Sequence, residues 1–279
     1  MNIRRKVLDK IMTLIPLLCV FTAIVPLVSI SGYLLYQGIS NLNWTFLTEL
    51  PKPVGEPGGG MANSIVGTGI VVGLAGLLGI PIGILSGIYL AEYGKTTCLG
   101  RMVRFLADVL QGVPSIVIGI VAYAVVVVPM QSFSAYAGAF ALAMMLIPFL
   151  TRTTEEALLT VEDNIKEAGL ALGQPYWRVV TGIVLRAAKA PIFTGVMLGI
   201  ARIAGETAPL LFTALNNRFW HQSLKGPIST LTVQIYNYAI SPFQDWNEQA
   251  WSGALVLIIL VTLLNLLVRL SSRSRYTQR

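Results

Sequence analysis

Residues 191–214 read PIFTGVMLGIARIAGETAPLLFTA, an apolar run that is interrupted by one arginine and one glutamate. A run of this length can cross a bilayer, which takes about 20 residues. A charged side chain at the bilayer centre costs at least about 2.5 kcal/mol, so Arg202 and Glu206 are expected to face a bundle interior or a water-filled path. On one continuous helix, steps of three and four residues form a single stripe: Gly195, Gly199, Arg202, Glu206, Pro209 and Thr213.

This stripe permits two interpretations. In the first, Arg202 and Glu206 form a structural pair that locks two helices together. In the second, Arg202 meets an anion that crosses the membrane, while Glu206 holds the arginine in place and keeps the anion from binding too tightly. A guanidinium suits an oxyanion because it presents a planar fork of donors to the oxygens. Helical spacing by itself does not decide between the two.

The composition is that of a membrane protein. Of the 279 residues, 54% are hydrophobic and 12% are charged, and the mean hydropathy is +0.70, well above that of ordinary soluble domains. Cys19 falls in an apolar run and Cys98 in a loop, so neither a disulfide nor a metal site is expected. The chain is predicted to be an all-α, polytopic membrane protein with six transmembrane helices: 11–36, 64–91, 102–128, 134–151, 191–214 and 247–270.

The distribution of basic residues predicts the orientation. Most of the 20 lysines and arginines fall on the side that also carries both termini, so that side is cytoplasmic by the positive-inside rule. The net charge of +7 therefore belongs to a membrane surface, not to a nucleic-acid site. The first apolar run is too long for a cleaved signal peptide and is read as an anchor. The expected organisation is an anchor helix with an external loop (1–60), a transmembrane domain (61–270) that contains a cytoplasmic loop (153–190), and a basic tail (271–279).

The second span is rich in glycine, which lets helix backbones approach closely. We therefore expect an interior helix. The sequence Gly94-Lys95-Thr96 at its end resembles part of a phosphate-binding loop, but the required earlier glycine is replaced by Tyr89 and no strand precedes it. No nucleotide site is predicted in this chain. The glycines with four-residue spacing are Gly69 and Gly73, and Gly79, Gly83 and Gly87.

Pro114, together with Gly112, is predicted to kink or break the third span near mid-membrane. Broken helices in transporters often present their N-terminal N–H groups to an anionic substrate, but a simple packing kink fits the sequence equally well. Closer to the interface, Asp108 is expected to pair with Arg104, one helical turn earlier.

The cytoplasmic loop contains a predicted two-turn helix. Asn164 followed by Glu167 indicates an N-cap with a reciprocating glutamate, and Gly173 indicates the C-terminal stop. A short capped helix that displays small and apolar residues to the cytosol makes sense if another protein covers it. The residues expected on its displayed face are Ile165, Ala168 and Leu172.

The loop resembles the cytoplasmic "EAA" loop of binding-protein-dependent ABC importers. In that family Glu-Ala-Ala and three residues precede a glycine, and Ile-x-Leu-Pro follows nine residues later. Here the loop reads Glu167-Ala168-Gly169, then Gly173, then Ile183-Val184-Leu185-Arg186; Gly169 and Arg186 depart from the pattern while the spacing is kept. Within these importers the chain is similar to the phosphate permease family, PstA, in three motifs: 58–68, 112–119 and 201–213.

This resemblance implies a type I ABC importer permease (MetI-like) fold in the cytoplasmic (inner) membrane of a bacterium. It also implies a second permease of the PstC kind, two ATPases of the PstB kind and an external phosphate-binding protein of the PstS kind. ATP and Mg²⁺ would belong to the ATPases, so no catalysis and no cofactor are expected here. The implied phosphate-path residues are Arg202, Glu206, Pro209, Thr213 and Gly199; the implied ATPase-coupling residues are Glu167, Ala168, Gly169, Leu172 and Gly173.

Other functions stay open at this point. One arginine does not distinguish phosphate from sulfate, molybdate or phosphonate. A proton-coupled secondary anion carrier would also use an intramembrane Arg–Glu pair, although it should show internal repeats. A purely structural assembly subunit would need no charged stripe.

Overall fold

Helices make up the regular structure of the computed structural model, which describes residues 3–56 and 58–273. No strand occurs in that part of the chain, which confirms the predicted all-α class. Three π-helical turns, Tyr89–Tyr93, Tyr123–Val127 and Val180–Val184, follow directly on α-helices. The α-helices are α1 (Ile3–Ser40), α2 (Trp44–Thr48), α3 (Ala62–Ile88), α4 (Cys98–Gly112), α5 (Ser115–Ala122), α6 (Val128–Met130), α7 (Ala135–Leu159), α8 (Asp163–Ala171), α9 (Tyr176–Val179), α10 (Leu185–Ala187), α11 (Lys189–Ala204), α12 (Ala208–Leu211), α13 (Leu231–Ala239) and α14 (Gln244–Arg273).

Four helical stretches are long and apolar enough to cross a membrane on their own. Two further helix pairs pass the same test only together and are bent, by 106° between α4 and α5–α6 and by 69° between α9–α10 and α11. The described residues thus contain four spans, or up to six if each bent pair counts as one, where the sequence predicted six. The four are Met12–Ser40, Ala62–Tyr93, Ala135–Leu159 and Gln244–Leu263.

The predicted break in the third span is confirmed. Helix α4 ends at Gly112 and α5 begins at Ser115, with Val113 in an extended conformation (φ −72°, ψ 130°) between them. Pro114 explains this geometry because its ring disfavours the helical conformation of the preceding residue and it has no N–H to donate. The 106° angle makes this a change of direction, not a kink within one straight helix.

The centre of the bundle is the contact between α3 and α7. A Cβ added to Gly83 would lie 2.6 Å from the Cβ of Leu150, and one added to Gly87 would lie 2.6 Å from the Cβ of Thr154. Gly79 meets Leu146 in the same way. The prediction of close packing is confirmed for these three glycines. It is wrong for the other predicted pair, Gly69 and Gly73, where an added Cβ would have nothing within 4 Å.

The N-terminal helix α1 lies against α14 at its far end. Gly38 contacts Leu255 there, and the Ser252 hydroxyl donates to the Gly38 carbonyl oxygen at 2.9 Å. The apolar side chains along Met12–Ser40 are almost all exposed on this chain. An apolar helix with an exposed surface is suited to contact lipid or another membrane subunit.

Candidate functional site

The predicted charged stripe does not lie on one helix. Helix α11 ends at Ala204 and α12 begins at Ala208, so Glu206 lies in a short connection. The proline at position 209 explains the break. In a continuous helix its ring would clash with the carbonyl group of Gly205, and it could not donate a hydrogen bond to that group. The predicted fifth span therefore ends ten residues before residue 214.

Arg202 is in the last turn of α11 and its side chain is exposed on this chain. Its guanidinium carbon lies 5.8 Å from the centre of the Phe149 ring on α7, within the range of a cation–π interaction. Among the described residues, Arg202 and Glu206 do not form an ion pair with each other. The expectation that Glu206 holds the arginine is thus wrong in this structure, in which Glu206 lies in the connection after α11.

The remaining path residues are packing positions. Gly199 faces α7, where an added Cβ would lie 2.7 Å from Leu146 Cδ1. Pro209 is buried against Gly119 of α5, and the buried Thr213 hydroxyl donates to the Pro209 carbonyl oxygen at 2.8 Å. Gly199 and Pro209 therefore fix how α11 and α12 pack, and Arg202 is the predicted path residue with an exposed charged group.

The predicted coupling helix exists as α8, but it begins at Asp163 instead of after Asn164. No side-chain cap bond forms, so the proposed Asn164–Glu167 capping box is wrong. Asp163 takes over the first turn, where a carboxylate is favourable, and it lies 3.5 Å from Lys166 one turn later. The predicted stop is confirmed: Gly173 has φ +75°, which glycine adopts without strain.

The two faces of α8 differ sharply. Ile165 is 41% exposed and Leu172 is 81% exposed, and Glu167 and Ala168 are exposed as well. This is the displayed face that the sequence predicted. Gly169 does not belong to it. It is buried, and an added Cβ would lie 2.9 Å from Ile183 and 3.1 Å from Val179, so its place in a docking surface is corrected to the inner face of the helix.

A buried carboxylate lies beneath α8. The side chain of Glu92, in the π-helical turn after α3, is fully buried and accepts hydrogen bonds from Lys166 Nζ at 2.9 Å and from the Tyr176 hydroxyl at 2.6 Å. This site was not predicted from the sequence. The sequence did contain one indication of it. Lys166 lies opposite the apolar displayed face of α8, so its charge needed a partner once that helix packed on the bundle.

A second charged network joins α4 to α7. Arg104 pairs with the buried Glu155 at 2.6 Å and donates to the Leu90 carbonyl oxygen at 2.8 Å. Arg152 binds the other oxygen of Glu155 at 2.6 Å and contacts Asp108 at 3.0 Å. The expected Asp108–Arg104 pair is therefore wrong, because Arg104 reaches across to α7 and to the end of α3.

Comparison with known proteins identifies the family. Residues 79–275 match the family described as binding-protein-dependent transport system inner membrane component. The chain belongs to this family. Membership in this inner-membrane permease family agrees with the long apolar helices of the structure, and it places the chain among multi-pass membrane proteins.

Several relatives within the permease family are described as phosphate transport system permease protein PstA. The one from Pasteurella multocida is 48% identical over 267 residues, which cover 95% of each chain. The one from Yersinia pestis is 47% identical over 233 residues, which cover 84% of this chain and 79% of the relative. A more distant relative from Methanocaldococcus jannaschii, described as a probable PstA, is 36% identical and covers 92% of this chain and 90% of its own length.

Solved structures show the same fold. A chain of a bacterial alginate ABC transporter in complex with an alginate-bound periplasmic protein superimposes with a TM-score of 0.70; the match covers 96% of each chain at 13% identity. A chain of the inward-facing MetNI methionine ABC transporter superimposes with a TM-score of 0.61 over 77% of this chain and 93% of that chain, at 18% identity. The MetI-like ABC importer permease fold is confirmed. The roles of the path and coupling residues of this permease stay predictions.

Proposed function

We propose that the chain is the membrane permease subunit of an ATP-driven importer that moves inorganic phosphate across the bacterial cytoplasmic membrane. The observation that carries the proposal is the 48% identity over 95% of both chains to a phosphate transport system permease. Near-complete coverage matters because it includes α8, the break before α12 and the external segments together. The chain itself catalyses no reaction and binds no cofactor; ATP and Mg²⁺ act on partner subunits.

The end of the bundle that carries α8 faces the cytoplasm in this proposal, with both termini on that side. The basic residues of the loops at that end favour this orientation. The displayed face of α8 then docks on an ATPase, and Leu172, at 81% exposed, is the apolar residue that gains most from being covered. Glu167, Ala168 and Gly173 act with it, while Gly169 supports the helix from inside.

Arg202 receives the anion at the end of α11. The guanidinium is exposed on this chain and is steadied by Phe149 at 5.8 Å, so it is available to line an aqueous path that a second permease subunit completes. Moderate binding serves transport, because a site that held phosphate tightly would slow its release. Because no ion pair with Glu206 is found among the described residues, the guanidinium donors are available to the anion.

The proposed transport cycle uses both α8 and Arg202. ATP-driven closure of two PstB-like ATPases moves α8 and opens the path outward, where a PstS-like binding protein delivers phosphate. Hydrolysis then resets the path inward. A PstC-like permease forms the other half of the membrane part.

A competition assay tests the substrate. The complex is reconstituted with its ATPase and binding protein, and uptake of radiolabelled phosphate is measured with excess unlabelled phosphate, arsenate or sulfate. We expect phosphate and arsenate to compete and sulfate to have no effect. Inhibition by sulfate equal to that by phosphate would favour a permease for another oxyanion and overturn the phosphate assignment.

A further inference from the structure

The contacts of α8 are of two kinds. Its apolar inner face packs on Val179 and Ile183, which belong to the same cytoplasmic segment. Lys166, in contrast, reaches a residue 74 positions earlier in the chain, Glu92, at 2.9 Å. This ion pair ties α8 directly to the end of α3, so it connects the displayed helix with the interior of the membrane bundle.

The Glu92 carboxylate binds two helices of the cytoplasmic segment, α8 and α9, at once. Lys166 of α8 occupies Oε1, and the hydroxyl of Tyr176, the first residue of α9, occupies Oε2. The Tyr176 hydroxyl also lies 3.3 Å from the Glu92 main-chain oxygen, and its ring packs edge-on against Tyr93 at 5.5 Å. With both oxygens bound and no solvent exposure, the carboxylate fixes one relative position of α3, α8 and α9.

The connection continues into the bundle. Glu92 lies in a π-helical turn, a feature that is frequent at functional sites. The Leu90 carbonyl oxygen of the same turn accepts a hydrogen bond from Arg104 of α4 at 2.8 Å, and Arg104 is paired with Glu155 of α7. Just before the turn, Gly87 of α3 packs closely against Thr154 of α7. These contacts connect α8 through Glu92 to α3, α4 and α7.

We propose that Glu92 is a positioning residue for energy coupling: through Lys166 and Tyr176 it transmits the movement of the ATPase-docked helix α8 to the transport path. This inference rests on the proposed function and deepens it. Separating the partners of a buried ion pair is costly, because it leaves an uncompensated buried charge, so the pair resists being pulled apart. That property is what a mechanical joint between two moving parts requires.

The test compares Glu92→Gln and Lys166→Met with wild type in the full reconstituted complex. Phosphate uptake and ATP hydrolysis are measured on the same proteoliposomes, and the result is the number of phosphate molecules imported per ATP hydrolysed. We expect both variants to bind the ATPase and hydrolyse ATP at a rate close to that of wild type, while uptake per ATP falls at least about fivefold, the lower end of typical coupling between sites. An unchanged ratio in either assembled variant would overturn the proposal.

Asp163→Asn is the matched control. Asp163 also contacts Lys166, at 3.5 Å, but its side chain is 76% exposed and it lies on α8 itself, so it does not join α8 to α3. Its uptake per ATP should equal that of wild type, and a loss as large as in Glu92→Gln would show that any charge change near Lys166 is disruptive. The reversed pair, Glu92→Lys with Lys166→Glu, should recover part of the uptake per ATP, because it restores an ion pair between α8 and the end of α3.

Tyr176→Phe covers the case in which Glu92→Gln does not assemble. It removes one hydroxyl and leaves the Lys166–Glu92 pair in place, so the complex should form, and a normal uptake per ATP would then count against the joint. Failure of the proposed function looks different: the wild-type complex itself would not import phosphate. In that case ATP hydrolysis would not be linked to uptake in any variant.

Discussion

Gly119 offers the sharpest test of how α12, the short helix after Arg202, packs on the bundle. It lies where α5 touches α12, and a Cβ placed on it would lie 2.6 Å from the Cα of Pro209 and 3.2 Å from the Pro209 carbonyl oxygen. Carbon atoms in contact are normally about 3.5–4.0 Å apart. In Gly119→Ala the two backbones must therefore separate by about 1 Å, because both blocking atoms are main-chain atoms that no rotamer change can move.

The expected magnitude follows from two opposing effects. Overpacking of this kind destabilises by about 1–3 kcal/mol, and replacing a glycine inside a helix by alanine stabilises by up to about 1 kcal/mol. Gly69→Ala is the matched control, because Gly69 is inside α3 and has nothing within 4 Å of an added Cβ. It should show the stabilising effect alone, so the difference between the two variants isolates the clash at about 1–3 kcal/mol.

The assay is equilibrium unfolding of the purified permease in mixed micelles with increasing SDS. Uptake in the reconstituted complex is measured alongside, and it should fall in Gly119→Ala because the shift of α12 displaces the chain that follows Arg202. A free energy of unfolding equal to that of Gly69→Ala, together with normal uptake, would refute the close contact between α5 and α12.

Three further predictions concern the path and α8. Arg202→Gln should lower phosphate uptake at least about tenfold, since a hydrogen bond to a charged group contributes about 1.5–3 kcal/mol. Arg218→Gln also removes an exposed arginine next to an aromatic ring and should leave uptake unchanged. Equal uptake in the two variants would contradict the role of Arg202 in the path. Ala168→Trp should uncouple ATPase binding from phosphate transport, and co-purification of a complete complex with normal uptake would remove the assignment of Ala168 to the ATPase contact. Gly173→Ala should lower the stability of the permease by about 1 kcal/mol through its positive φ, and an unchanged unfolding curve would contradict this.

The sequence was sufficient for features that depend on one local property. Apolar run length predicted the four spans that are single long helices. Gly173 predicted the end of α8, because glycine adopts φ +75° without strain. Pro114 predicted the break between α4 and α5 for the same kind of reason. In each case the decisive chemistry is contained within a few neighbouring residues.

Features that depend on the choice of a partner were not predictable. Helical periodicity placed Arg202 and Glu206 on one stripe, but Pro209 acts on the carbonyl group four residues earlier and interrupts the helix between them. Arg104 pairs with Glu155, 51 positions away, instead of with the nearby Asp108.

Glycine spacing shows the same limit. It predicted close packing correctly at Gly83 and incorrectly at Gly73, because the spacing does not show which stretch of a long helix meets a neighbour. The Glu92–Lys166 joint belongs to this group as well, since it links two segments that only the folded chain brings together.

We expect this chain to form an ATP-powered phosphate path. The most direct measurement of it is the initial rate of phosphate uptake by proteoliposomes that contain the two permeases and the binding protein, with and without the ATPase subunits. We expect uptake against a phosphate gradient when ATPase and ATP are present and none when either is omitted. Uptake at the same rate without the ATPase, driven instead by an imposed proton gradient, would contradict the claim and indicate a secondary carrier.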